Sequence, residues 1–282
     1  MDLASAVLEF FDIKGLVLAC LIFVPAERLL AERKEQRVLR KSWWSDLTYV
    51  FVNRIFILPG IGLLILATGV IASWLVPVEL RASVAAQPFW LQVVEAIVVA
   101  DFGFYVVHRL FHTVPWLWPF HAVHHSIEEL DWLAAARVHP VDQIVTRGLS
   151  MVPLYAMGFS EPAFGVFGAI YFWHSLLLHA NVRLDFGPLG WLIASPDFHH
   201  WHHANQPEAY NKNFAGQLCL FDRVFGTAYV AAGSTPERYG VPDPVPHTYA
   251  PQLLYPLRRR RAVAPHSTAD SPDPSERRVR AA

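Results

Sequence analysis

The sequence predicts an all-α, integral-membrane helical bundle of about four membrane helices, two of them forming a hairpin, with a histidine-rich helical cap on the cytosolic side. Three observations carry this reading. The 282 residues are 54% hydrophobic and only 17% charged, against about 25% charged in an average soluble domain, and the mean hydropathy is +0.28. Long apolar runs recur, above all the uncharged stretch from Ile55 to Val78. Finally, histidines cluster at helical spacing in HRLFH, HAVHH and FHHWHH.

Taken in order, residues 3–26 are apolar but carry Glu9, Asp12 and Lys14, leaving an uncharged core from Gly15 to Ala26. A full span needs roughly twenty apolar residues, so this segment is expected as a tilted or interfacial helix. It lacks the basic start and cleavage signature of a signal peptide and is expected to be retained. A basic loop follows, with Arg28, Arg33, Lys34, Arg37, Arg40 and Lys41, closed by Trp43 and Trp44. Such loops stay cytoplasmic, and tryptophans favour the membrane interface.

Ile55–Val78 is the clearest span, and residues 84–107 return through the membrane after a short connection with one basic residue, Arg81. Asp101, Tyr105, His108 and His112 fall at i, i+4, i+7 and i+11, which aligns them as one stripe on a helix. Counting crossings from the basic loop puts the histidines at the cytoplasmic surface. Asp101 is expected either to hold the second ring nitrogen of a metal-binding histidine or to be a buried acid paired structurally elsewhere. Pro115 and Pro119 break the chain and start a new helix near His121, and SIEELDWLAAARVHPVDQ reads as a polar helix ending near Pro140.

Residues 148–182 are apolar but divided by Pro153, Gly158 and Pro162, which suggests a hairpin entering and leaving on one face. His174 and His179 lie on its returning arm, five apart and so on different faces; His179 is the better ligand candidate. Beyond Val182 the chain forms an aromatic-rich cytosolic cap. The domain reading is therefore one membrane-embedded unit over 1–257 with its motif core at 40–230. A basic tail at 258–282 follows, expected to be disordered.

The chemistry lies in the histidines. Five occur in the eighteen residues from His108 to His125, and FHHWHH adds His199, His200, His202 and His203. Each box is expected to converge on one helical face, and neutral imidazole is the commonest side-chain metal ligand. Eight or more exceed the four ligands of one tetrahedral zinc, so two metals are the simpler expectation; iron, zinc and copper all suit imidazole. Cys20 and Cys219 form no CxxC, and no HExxH occurs, which argues against a thiolate site and a zinc-peptidase helix. The net charge of −1 selects no partner, and nothing points to nucleic acid.

The ordered boxes HRLFH, HAVHH and HHWHH, with EELDWLAAARVHPVD after the second and NKNFAG and FDRVFGT after the third, resemble the fatty acid hydroxylase and sterol desaturase superfamily of integral-membrane diiron enzymes. The resemblance implies two iron ions at the cytoplasmic face of a bacterial-type inner membrane, with O2 as co-substrate and a sterol, fatty acyl chain or lipid headgroup hydroxylated or desaturated. It implies His108, His112, His121, His124, His125, His199, His202 and His203 as ligands, with His179 matching a further family histidine. His139 matches a recurrent position, His200 is the extra member of its box, and Asn213 and Asp222 would support the ligands from behind. There is no His-Pro-Gly-Gly segment of a fused haem carrier, so a separate ferredoxin-like electron donor is expected. A histidine-rich membrane protein that binds or transports metal is the competing reading, and a zinc-dependent membrane hydrolase the weaker third.

Overall fold

The computed structural model describes residues 13–258, so the expected tail lies outside the described residues, as do the first dozen positions. Among the described residues the chain is helical, with no strand beyond an isolated bridge between Ala204 and Tyr239. The principal helices are α1 (Ile13–Leu29), α2 (Trp43–Leu75), α3 (Val78–Ala85), α4 (Phe89–Thr113), α5 (Trp118–His125), α6 (Pro140–Met157), α7 (Glu161–His179), α8 (Pro196–His202), α9 (Leu220–Val224) and α10 (Tyr249–Leu254). Two of them, over Trp43–Ile71 and Phe89–Thr113, are long and apolar enough to cross a membrane.

α2 begins a dozen residues before the expected span. Its 33 residues rise about 50 Å, well beyond a hydrocarbon core of about 30 Å. The extra turns are anchored: Asp46 is fully buried, and the Asn53 amide donates to the Val138 carbonyl at 2.7 Å. α6 lies between α2 and α4, and α7 packs on α4. The α4–α6 crossing is tight because Gly103 has no side chain; a Cβ there would stand 3.0 Å from the Ser150 Cα. On α4, Asp101, Tyr105, His108 and His112 all face inward, as the stripe predicts, while Phe102, Val106 and Leu110 are exposed on the far side. An apolar outer face over a polar inner one suits a helix whose outside meets lipid.

One expectation is corrected. The stretch after His125 is not a helix ending at Pro140; a short 3-10 turn covers Trp132–Ala136, and Pro140 opens α6. His139 caps that helix by accepting from the Val141 N–H at 3.1 Å, and proline fits the first turn because no partner is lost there. Gly158, at φ 82, ends it. The basic loop is partly buried. Arg40 is buried, paired with Asp46 and with Asp131 at 2.8 Å, and Arg137 reaches the same Asp46. These pairs fasten the loop before α2 to the segment before α6.

Candidate metal centre

Nine buried imidazoles meet at one end of the helices in two adjoining groups. One contains His108, His112, His121, His125 and His202; the other contains His124, His179, His199 and His203, and within each group the ligand atoms lie within 4.8 Å of one another. The boxes do not map onto the groups. α5 sends His121 and His125 to the first and His124 to the second; the third box sends His202 to the first and His199 and His203 to the second. Neighbours on a helix differ by about 100°, so paired histidines point to two sides of their helix, and α5 and α8 stand between the two groups. The His125 and His203 rings stack across the junction, 4.6 Å apart.

Local sequence explains the placement. α8 starts at Ser195, whose side chain accepts from the Phe198 N–H at 3.2 Å, with Pro196 in its first turn; a serine cap before proline is a favoured helix start. α4 and α7 end in the site, delivering His112 and His179 from their last turns.

Five of the outer nitrogens have acceptors, while Nδ1 of His199 and of His203 is buried with no hydrogen-bond partner among the described residues. Nδ1 of His108 donates to the Phe214 carbonyl at 2.7 Å, that of His121 to Asp142 at 2.7 Å, and that of His124 to the Arg137 carbonyl at 2.9 Å. Nδ1 of His179 donates to the Ser175 carbonyl and that of His202 to the Lys212 carbonyl, each at 2.8 Å. In a neutral ring a protonated Nδ1 leaves Nε2 with a bare lone pair. Yet Nε2 of His108 faces Nε2 of His121 at 2.9 Å, and Nε2 of His124 faces that of His179 at 3.2 Å. Two acceptors at that distance repel. A cation between them reconciles the geometry: ligands about 2.1 Å from one ion and at right angles stand about 3.0 Å apart. The donor set therefore fits metal ions. Burial, reinforced by neighbouring imidazoles, holds His124, His125, His199 and His203 well below the usual histidine range and His202 at about 3. Neutral rings are the form that binds metal.

The remaining sequence candidates stand outside both groups. His139 caps α6 and its Nε2 donates to the Leu253 carbonyl at 3.2 Å. His174 donates to the Ala194 carbonyl at 2.9 Å. His200 stands between Glu32, at 2.6 Å, and the Ala180 carbonyl, at 3.1 Å. Asp101 does not touch a ring nitrogen and is instead the buried acid paired elsewhere; its oxygens accept from the backbone N–H groups of Gly216, Gln217 and Leu218. Asp222 accepts from Phe214 and Ala215. Asn213, at φ 60, a conformation asparagine tolerates, donates to the carbonyls of Phe198 and Tyr229. Both act through the loop that carries the Phe214 carbonyl. Within the two groups the carboxylate on a ring nitrogen is that of Asp142, which the sequence reading passed over although it stands three residues after His139 in the first turn of α6.

Both groups border one cavity of about 60 Å³, with His108 and His121 on one side and His124, His179 and His199 on the other; Phe104, Tyr171 and Leu178 supply apolar wall.

Residues 93–227, which hold all nine histidines, match the family described as Fatty acid hydroxylase. The chain is 34% identical over 173 residues to the ornithine lipid hydroxylase OlsE of Rhizobium tropici, covering 61% of this chain and 52% of that protein. It is 32% identical over 161 residues to the alkylglycerol monooxygenase of Xenopus tropicalis, covering 54% and 33%. With the cholesterol 25-hydroxylase of Homo sapiens it shares 28% identity over 141 residues, covering 47% and 49%. The chain thus spans about half the length, or less, of these curated relatives. No solved structure matches it.

Proposed function

The chain belongs to the fatty acid hydroxylase superfamily, and from that premise we propose that it is a membrane-embedded oxygenase that hydroxylates a lipid with O2, using two iron ions held by the nine grouped histidines. The observation that carries this reading is the shared cavity: both histidine groups border it, so a carbon placed there faces both metals at once. Two irons so held supply O2 activation, in which one oxygen atom enters a substrate C–H bond and the other leaves as water with two electrons and two protons. Hydroxylation is favoured over desaturation because the relatives are named hydroxylases and monooxygenases.

The chain's own part is to bind, orient and exclude water. Outward hydrogen bonds from Nδ1 fix the tautomers of His108, His121, His124, His179 and His202 and aim their Nε2 atoms inward. Phe104, Tyr171 and Leu178 keep the reacting carbon dry, and the rest of the lipid lies among α4, α6 and α7. In this reading residues 1–257 form one domain with four membrane helices, α2, α4, α6 and α7, the last two as the hairpin. The residues at 258–282 are a separate basic tail. The basic loop 28–41 lies at the histidine end, where Glu32 meets His200 and the Arg33 N–H donates to Asn181; by the positive-inside rule that end is cytoplasmic, in a bacterial-type inner membrane. Electrons come from a separate donor protein.

Lipid extracts from cells with and without the gene, compared by mass spectrometry under isotopically labelled O2, should show a lipid heavier by one labelled oxygen atom. A product lighter by two hydrogens would reassign the reaction to desaturation. Metal movement across vesicles with no lipid product would favour a metal carrier.

A supporting prediction concerns Asp142. Asp142→Ala should weaken metal retention roughly 10–100-fold in a chelator titration, because His121 loses the acceptor that orients it. Asp142→Asn keeps an acceptor oxygen and should cost less; the reverse order would remove this role.

A further inference from the structure

Below the metal end, the cavity is lined by a cation that pairs with no carboxylate among the described residues. Arg147 is half-buried on α6, and its guanidinium lies over the Tyr171 ring of α7, 5.1 Å from the centroid. Asp142, Gln143, Thr146 and Arg147 line the cavity from one face of α6, as i, i+1, i+4 and i+5 spacing requires. The two nearby acids are already engaged. The Asp142 carboxylate takes the His121 ring, with the Thr146 hydroxyl donating to the Asp142 backbone carbonyl at 2.6 Å, and Asp101 takes three backbone N–H groups. Among the described residues no carboxylate pairs with Arg147.

A guanidinium on an apolar hairpin is costly to place there, and such groups face functional interiors. An aromatic face offsets only part of its charge. Its planar fork of donors matches the oxygens of a carboxylate or phosphate, and Gln143 adds an amide on the same wall. Arg147 stands five residues beyond Asp142, about 7–8 Å along the helix, on the side away from the end where Asp142 meets His121.

We propose that Arg147, with Gln143 beside it, binds an anionic oxygen of the substrate lipid and thereby sets which carbon lies between the histidine groups. This rests on the reading of the cavity as the lipid site, and it makes Arg147 a specificity-determining residue. A substrate anchored there presents a carbon at a fixed reach from its anionic group, so regiochemistry follows the distance between that group and the reacting carbon.

The test is equilibrium binding to the purified, metal-loaded full chain in detergent, with palmitate, hexadecyl phosphate and hexadecanol as probes of one chain length. Wild type should bind at least one anionic probe roughly tenfold or more tighter than the alcohol; which anion is preferred identifies carboxylate or phosphate as the source. R147Q should erase that preference while keeping its metal content and its affinity for hexadecanol. Equal binding of all three probes by wild type, or an undiminished preference in R147Q, overturns the proposal. Should R147Q fail to load metal, wild-type protein with hexadecylamine decides: the amine should bind more weakly than the alcohol, and tighter binding overturns it. The assay needs no turnover. An Arg147-dependent preference without any oxygenated lipid would sink the oxygenase reading and leave the subsite standing, whereas oxygenation without the preference would do the opposite.

Discussion

His203→Ala is expected to reduce lipid hydroxylation to background and to release about half of the bound iron. The reason is its position at the junction. Its Nε2 stands 3.1 Å from that of His199, and its ring lies 4.6 Å from the rings of both His124 and His125. Removing it leaves the second group with three imidazoles and opens that side to water, while the first group keeps all five of its own imidazoles. A catalyst that needs both ions then loses function even though one ion remains. His112→Ala should mirror the result from the first group, since its ring stands 4.7 Å from those of His121 and His125. His174→Ala is the control: that ring meets the Ala194 carbonyl and belongs to neither group, so iron content should stay whole. Elemental analysis of purified protein alongside product measurement decides the matter. Full iron and full activity in His203→Ala would remove it from the metal site, and iron loss in His174→Ala would redraw the groups.

The features that the sequence made legible are those governed by local periodicity. The Asp101–Tyr105–His108–His112 stripe follows from 3.6-residue spacing alone, and α4 realises it, because a helix that must satisfy its own backbone in an apolar setting has little conformational choice. The two apolar helices were legible for the same reason. What was not legible depends on contacts between distant segments. α2 starts early because Asp46 meets Arg40 and Arg137, whose partner lies 91 residues away; no window of sequence holds that pairing. The division of the second and third histidine boxes between the two groups was missed because three- and four-residue spacing was given more weight than the turn between neighbours such as His124 and His125. Asp142 was overlooked because its partner, His121, sits 21 residues back across a segment first expected to be helical. Asp101 stands out in the sequence as an acid inside an apolar run, but its partners are backbone groups more than a hundred residues on, which residue types cannot reveal.

Asp222→Asn and Asp101→Asn should each lower metal affinity and thermal stability without altering any histidine. Five consecutive backbone N–H groups are held by these two acids: Phe214 and Ala215 by Asp222 at 2.8 Å each, then Gly216, Gln217 and Leu218 by Asp101 at 3.1, 2.9 and 2.7 Å. A carboxylate can accept through both oxygens, whereas an amide offers one acceptor and turns an NH2 toward a donor. Either change therefore leaves at least one buried N–H facing another donor, at a cost of about 1–3 kcal/mol. The loss reaches the metal through the loop, because the Phe214 carbonyl orients His108 and the Lys212 carbonyl orients His202. Metal affinity should fall roughly 10–100-fold, and the two changes should be non-additive, since both act on one short segment. Thermal unfolding with and without added iron separates the parts: a structural role alone shifts both melts equally, while a positioning role shrinks the gain that iron provides. An undiminished gain in both variants would show that the loop does not carry the effect from the acids to His108 and His202.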